Sequence, residues 1–173
     1  MSLAKKIIRQ PLPRALSASL LLALLGSAAW ADSYKLGGEC IVFDYDTNFP
    51  GGTRITSSYG WSGGCDSEGF ASGFGELQAY WNGRMDEIST GTMVRGRLEG
   101  QVVTTSPNGS RFEGTYNHGH RTGWGVYTRV GGGGVALRYE GQFVDGLADG
   151  FGALTVNDNL RYEGGFLKGR RLR

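Results

Sequence analysis

From residue 61 onward the chain alternates between positions suited to a packed face and positions suited to water. In Tyr139-Glu140-Gly141-Gln142-Phe143 the ring-bearing and small residues fall at every second place. A period of two puts Tyr139, Gly141 and Phe143 on one side of an extended strand. Gly150-Phe151-Gly152-Ala153-Leu154 alternates again. Between the two stretches, Gly146 and Gly150 bracket a short connector carrying Asp145 and Asp149, residues suited to turns. The segment therefore predicts a β-hairpin. No stretch sustains an apolar period of helical spacing.

The same pattern recurs along the chain. Phe112, Gly114, Tyr116 and Gly119 are followed by Gly123, Gly125 and Tyr127. Gly64, Gly69, Gly73, Gly75 and Leu77 keep the same offsets. A weaker copy has Gly91, Met93, Gly96, Gly100 and Val102, with one glycine of the Gly-x-Gly pair lost. The last, half copy is Tyr162, Gly164, Phe166 and Gly169. The leading glycines stand at 64, 91, 114, 141 and 164, at intervals of 27, 23, 27 and 23. A glycine lets a neighbouring ring lie on bare backbone. One hairpin is marginal alone, so stacking several supplies the stability, and each adds roughly 10 Å to a sheet. The expected fold is all-β: an elongated, single-layer array of antiparallel β-hairpins over residues 61–173, about four and a half repeats.

These copies, Tyr-Glu-Gly-x-Phe-x-x-Gly-x-x-x-Gly-x-Gly-x-Leu, resemble the MORN (membrane occupation and recognition nexus) repeat, whose basic period is 23. The resemblance is specific over Phe112–Tyr127, Tyr139–Leu154 and Tyr162–Gly169, and degenerate over 62–77 and 91–104. The 27-residue intervals depart from it by four-residue insertions, and the second copy lacks its aromatic residues. The resemblance implies a hairpin array used for protein–protein contact, dimer formation or acidic-lipid binding, as a scaffold on its own or beside an enzyme domain.

The first residues change how composition is read. Lys5, Lys6, Arg9 and Arg14 precede an apolar run from Ala15 to Leu25, and Ala29-Trp30-Ala31 offers small residues at a cut before Asp32. That order predicts a cleaved secretory signal peptide over residues 1–31. An uncleaved anchor is the alternative, but the run is shorter than the ~20 residues a bilayer requires. Without those four cations, the 18 Lys and Arg fall to 14 against 16 Asp and Glu, a formal −2. Generic nucleic-acid binding, which needs a concentrated positive field, loses its support. Thirty of the 31 glycines lie beyond residue 31, Gly26 being the exception in the leader. Rings packed on glycine backbone would replace a thick aliphatic core.

Residues 32–60 follow the repeat poorly and suggest a hairpin or cap, with strand pieces at 41–43 and 54–56 around a turn at 49–52. A hairpin centred between Gly52 and Thr53 would set Cys40 opposite Cys65, within disulfide range. An oxidising destination favours that bridge over two buried thiols.

The candidate chemistries are thin. His118 and His120 share a face and could clip a metal, but both fall where the repeat expects variable polar turn residues. No nucleophile sits in a recognisable elbow. Asp44, Asp46 and Glu68 could pair as glycosidase carboxylates, yet a thin sheet offers little cleft. Gly131–Gly134 reads as a linker that lengthens its interval and not as a phosphate cradle. Lys168, Arg170, Arg171 and Arg173 could contact a partner or anionic lipid headgroups, or simply guard an edge strand. The expectation is an exported, non-catalytic interaction module or scaffold, periplasmic or secreted, needing no cofactor. Its partner would be another protein or a second copy. Peripheral membrane binding is the first alternative, and a small envelope hydrolase or glycan-binding protein the second.

Overall fold

A computed structural model describes residues 33–44 and 57–173. The signal-peptide reading, the turn at 49–52 and Asp46 lie outside the described residues. Thirteen strands are described. They are β1 (Ser33–Gly37), β2 (Cys40–Asp44), β3 (Ser57–Trp61), β4 (Gly64–Cys65), β5 (Ala71–Trp81), β6 (Arg84–Val94) and β7 (Arg97–Thr105). There follow β8 (Arg111–Asn117), β9 (His120–Val130), β10 (Ala136–Val144), β11 (Leu147–Val156), β12 (Asn159–Leu167) and β13 (Arg170–Arg171). From β5 to β13 each strand pairs antiparallel with the next in sequence, so the array is a meander of successive hairpins in one open sheet.

The hairpins close more tightly than the glycine spacing suggests. β10 and β11 are joined by Asp145-Gly146 alone, with φ of 48° and 80°. Two successive positive-φ residues make the type I′ turn whose twist matches paired strands. Arg95-Gly96, His118-Gly119 and Lys168-Gly169 repeat it. The expected 146–150 connector is therefore a correction: Gly150 sits inside β11, not in the turn. These turns also stack. The Gly119 N–H donates to the Leu98 carbonyl (2.9 Å), Gly146 to Arg121 (3.0 Å) and Gly169 to Ala148 (2.8 Å), each reaching the start of the preceding hairpin's returning strand.

Gly150 belongs to a bulge. In β6–β7, Gly91 faces Val102 while Thr92 faces Glu99, so Gly100-Gln101 is extra on the returning strand. Gly123-Trp124 is extra in β8–β9, and two further residues are extra between Ala148 and Gly152 in β10–β11. The glycine opening each Gly-x-Gly has positive φ, +66° at Gly123, which the bulge requires. The closing glycine has a different reason. A Cβ on Gly125 would lie 2.8 Å from the Phe112 ring, and one on Gly114 2.7 Å from it.

Strand register joins these second glycines to the leading ones in a single row across the sheet: Gly75, Gly91, Val102, Gly114, Gly125, Gly141, Gly152 and Gly164. Gly64 stands outside it, on β4 opposite Ser72. Over the row lie the rings of one face. Phe112, Tyr139, Phe143 and Phe166 are buried. Edge-on contacts link Tyr116, Phe112, Phe143, Tyr139, Phe166 and Tyr162 in sequence, with centroids 4.8–5.7 Å apart. Each such contact contributes about 0.5–1.5 kcal/mol beyond burial, and every second one joins different hairpins.

The second copy solves the same space without a ring. Ser89 takes the ring position and Val102 the place of a glycine. Val102 is buried and approaches where a Gly91 side chain would begin.

The four-residue insertion of the 27-residue intervals lies in the strands, not in Gly131–Gly134. β9 and β10 have 11 and 9 residues where β7 and β8 have 9 and 7. The connections 106–110 and 131–135 are equally long.

At the N-terminal side, β1 and β2 form their own hairpin. The Ile41 and Phe43 N–H groups donate to Gly69 and Gly96 carbonyls, both at 2.8 Å, and Val42 is fully buried. Cys40 and Cys65 form a disulfide with Cα atoms 5.4 Å apart. The bridge agrees with expectation, but its geometry does not. Cys40 is paired with Gly37 and Cys65 with Ala71, so the bridge ties β2 to β4 and is not a cross-strand pair of one hairpin.

Candidate functional site

Two surfaces carry side chains that the core does not use. The first is the outer face. The middle residue of each Gly-x-Gly points away from the rings, because the closing glycine next to it faces them. Phe74, Trp124 and Phe151 occupy these places, with 74%, 53% and 52% of their surface exposed. Gln101 holds the equivalent position in the second copy. Equivalent residues lie two strands apart, roughly 10 Å, and the stripe between them is polar, with Thr92 opposite Phe74 and Gln142 opposite Trp124. Beside it Val94, Val144 and Leu167, each just before a type I′ turn, are also half exposed. Alternation alone could not assign these residues, because each bulge shifts the register between the two ends of a strand.

The second surface is on the ring-bearing face, where the second copy lacks its aromatic residue. Ser89 Oγ and Thr104 Oγ1 are 2.8 Å apart and buried, and Thr104 Oγ1 lies 2.9 Å from the Tyr116 hydroxyl. Arg121 Nε donates to the Tyr116 oxygen (2.9 Å), and its Nη2 lies 3.5 Å from Glu87 Oε2. The guanidinium also sits over the Phe112 ring, 4.8 Å from its centre. Burial pushes the Glu87 carboxyl above the ordinary range, only partly countered by Arg121. Burial works against the Arg121 charge too, but the Tyr116 oxygen and Glu87 hold its pKa above the usual value. Two hollows meet at Glu87. One, of about 160 Å³, is walled by Tyr59, Leu77, Trp81 and Leu98. The other, of about 190 Å³, is polar and reaches Asn108, Arg111 and Tyr127. Sequence reading named neither Glu87 nor Arg121. The available signal was Ser89, a hydroxyl where the other copies have a ring.

The remaining candidates are dispersed. His118 is in a turn, with its backbone N–H on Glu99 Oε1 (2.8 Å) and its ring Nδ1 3.3 Å from the same atom. His120 is exposed and opens β9, a residue beyond the turn expected for it. Glu68 forms a two-pronged pair with Arg95, at 3.1 and 2.6 Å, on the surface. Gly132–Gly134 make a short 3-10 turn with no buried residue. Lys168 is the first residue of a turn, Arg170 and Arg171 are β13, and Arg171 covers the Tyr162 ring at 5.5 Å. Arg170, Arg171 and Arg173 border an open groove of about 720 Å³ floored by Leu154, Tyr162 and Phe166.

Fold and surfaces together define a β-hairpin repeat protein with a glycine row, an outer row of exposed rings set among polar residues, and an inner polar cluster. No protein-family model matches the chain, and no curated protein matches it significantly. Among the described residues no helix is long and apolar enough to cross a membrane, and the disulfide is compatible with an oxidising, exported setting.

Proposed function

We propose that the protein is an exported, non-catalytic module of MORN-like repeats that binds a protein partner in the cell envelope through its outer face. The observation carrying this reading is the exposure of Phe74, Trp124 and Phe151 in one stripe beside Val94, Val144 and Leu167. Exposed rings repeated along one face among polar side chains suit the mixed apolar and polar character of a docking surface. Rings at the centre of such a stripe supply most of the binding energy when buried. The basic, apolar and small-residue order of residues 1–31 supports export, with a periplasmic or secreted destination.

The test is crosslinking capture from the envelope fraction, comparing the protein with Trp124→Ala/Phe151→Ala. Neither ring is buried, so the double variant keeps the wild-type melting temperature, and a defined partner is captured about a hundredfold less. Equal capture by both proteins overturns the reading. A second reading, contact with anionic membrane, is favoured by the cluster Lys168, Arg170, Arg171 and Arg173. Co-sedimentation with phosphatidylglycerol vesicles at low ionic strength, abolished by neutralising those four residues, would replace the first reading.

A further inference from the structure

We propose that the inner polar hollow between Glu87 and Arg121 binds one neutral pyranose sugar unit. This is a second site, on the opposite face from the stripe that carries the proposed function. Size sets the first limit. A volume of about 190 Å³ is well above the ~10–15 Å³ that one water needs on the same measure, so a ligand the size of one sugar ring fits.

Charge sets the second limit. Glu87 faces Arg121, and Arg111 is matched by Glu113 at 2.7 Å. A free anion would meet the Glu87 carboxyl, and a free cation would meet two guanidinium groups. The hollow therefore favours a ligand without net charge. Its hydrogen-bonding capacity is nonetheless large. A carboxylate accepts about four hydrogen bonds, and the protein contact of Glu87 is the long one to Arg121. A guanidinium has five N–H donors, of which Arg121 commits Nε to Tyr116 and one weakly to Glu87. Asn108 uses its Oδ1 on the Ser110 N–H (2.9 Å), which leaves its amide NH₂ as a donor. Vicinal hydroxyls can donate as a pair to one carboxylate while accepting from a neighbouring guanidinium. The Phe112 ring is buried beneath the Arg121 guanidinium, so the wall of the hollow is almost wholly polar, with the Tyr127 hydroxyl 3.3 Å from Ser110 Oγ. Several closely set hydroxyls on one small neutral ring match these donors and acceptors, and a pyranose carries them.

The probes are D-glucose, D-galactose and N-acetylglucosamine, read by saturation-transfer NMR on the purified full-length protein, with glycine and inorganic phosphate as competitors. At least one sugar is expected to receive saturation. Its affinity should fall about tenfold in Glu87→Gln and in Arg111→Ala, the scale of losing one charge-assisted hydrogen bond. Arg111 is half exposed, so that variant keeps the fold if the first does not. The proposal is overturned if none of the sugars is saturated by folded protein, if both variants bind like wild type, or if glycine or phosphate displaces the sugar. Trp124→Ala/Phe151→Ala leaves sugar binding unchanged, so the two sites fail separately.

Discussion

At the scale of single residues, the two glycines of each Gly-x-Gly serve different physics. Gly123 has open space around it but a φ of +66°, whereas Gly125 has ordinary φ and no space at all. Gly123→Ala should therefore cost about 1–2 kcal/mol, the penalty of a left-handed alanine. Gly125→Ala should cost more, about 2–4 kcal/mol, because the Phe112 ring must move out of a packed position. Urea denaturation of the two variants gives the order directly. Sequence alone shows that both are glycine; only the register shows why. Glu87 offers a second test at this scale. Its folded pKa is raised, so the folded state holds the proton to higher pH than the unfolded state does. Stability then falls as pH rises from the unfolded carboxyl value through the raised one. Glu87→Gln removes that fall. Thermal melts across pH should give equal midpoints in acid and a slightly more stable variant above the raised value, by less than about 1 kcal/mol because the group is a third exposed.

Hairpins were the legible level of this chain. The alternation around Tyr139–Phe143 identifies strands because period two is a local property, independent of distant partners. The connectors are not legible, for the opposite reason. Gly146 and Gly150 look alike in sequence, and only pairing separates a turn glycine from a bulge glycine. The second hairpin invites a reconstruction. Ser89→Phe alone overpacks against Val102 and Thr104, and Val102→Gly alone removes a buried side chain, each costing about 1–3 kcal/mol. Combined, they restore a ring over a glycine, as in Phe112 over Gly125. The double variant should lose at least about 1 kcal/mol less than the two losses added, a coupling that a double-mutant cycle in denaturant measures.

For the molecule as a whole, contacts run between neighbours, and a disturbance at one side should stay there. The disulfide makes this testable. Its closed loop of 25 residues predicts a loss of about 3 kcal/mol on Cys40→Ser/Cys65→Ser. Hydrogen exchange should then speed up at the Ile41 and Phe43 amides while β9–β12 remain protected; uniform acceleration would mean the array melts as one unit. The bridge itself was legible because two cysteines permit one pairing, although β3 intervenes where a simple hairpin was expected. The inner polar cluster was not legible, since Glu87, Arg121 and Tyr116 come from three strands and meet only after folding.

The alternating intervals have one more consequence. Because the insertion extends strands in pairs, the true building block is two hairpins, one long and one short, and the border of the sheet is notched. The floor of the notch is the 106–110 connection, and Glu87 stands just beyond the last β6–β7 pair, Ile88 with Thr105. Two residues of overhang amount to roughly 7 Å. Lengthening β7 and β8 to match their neighbours would level that border and wall Glu87 off from water.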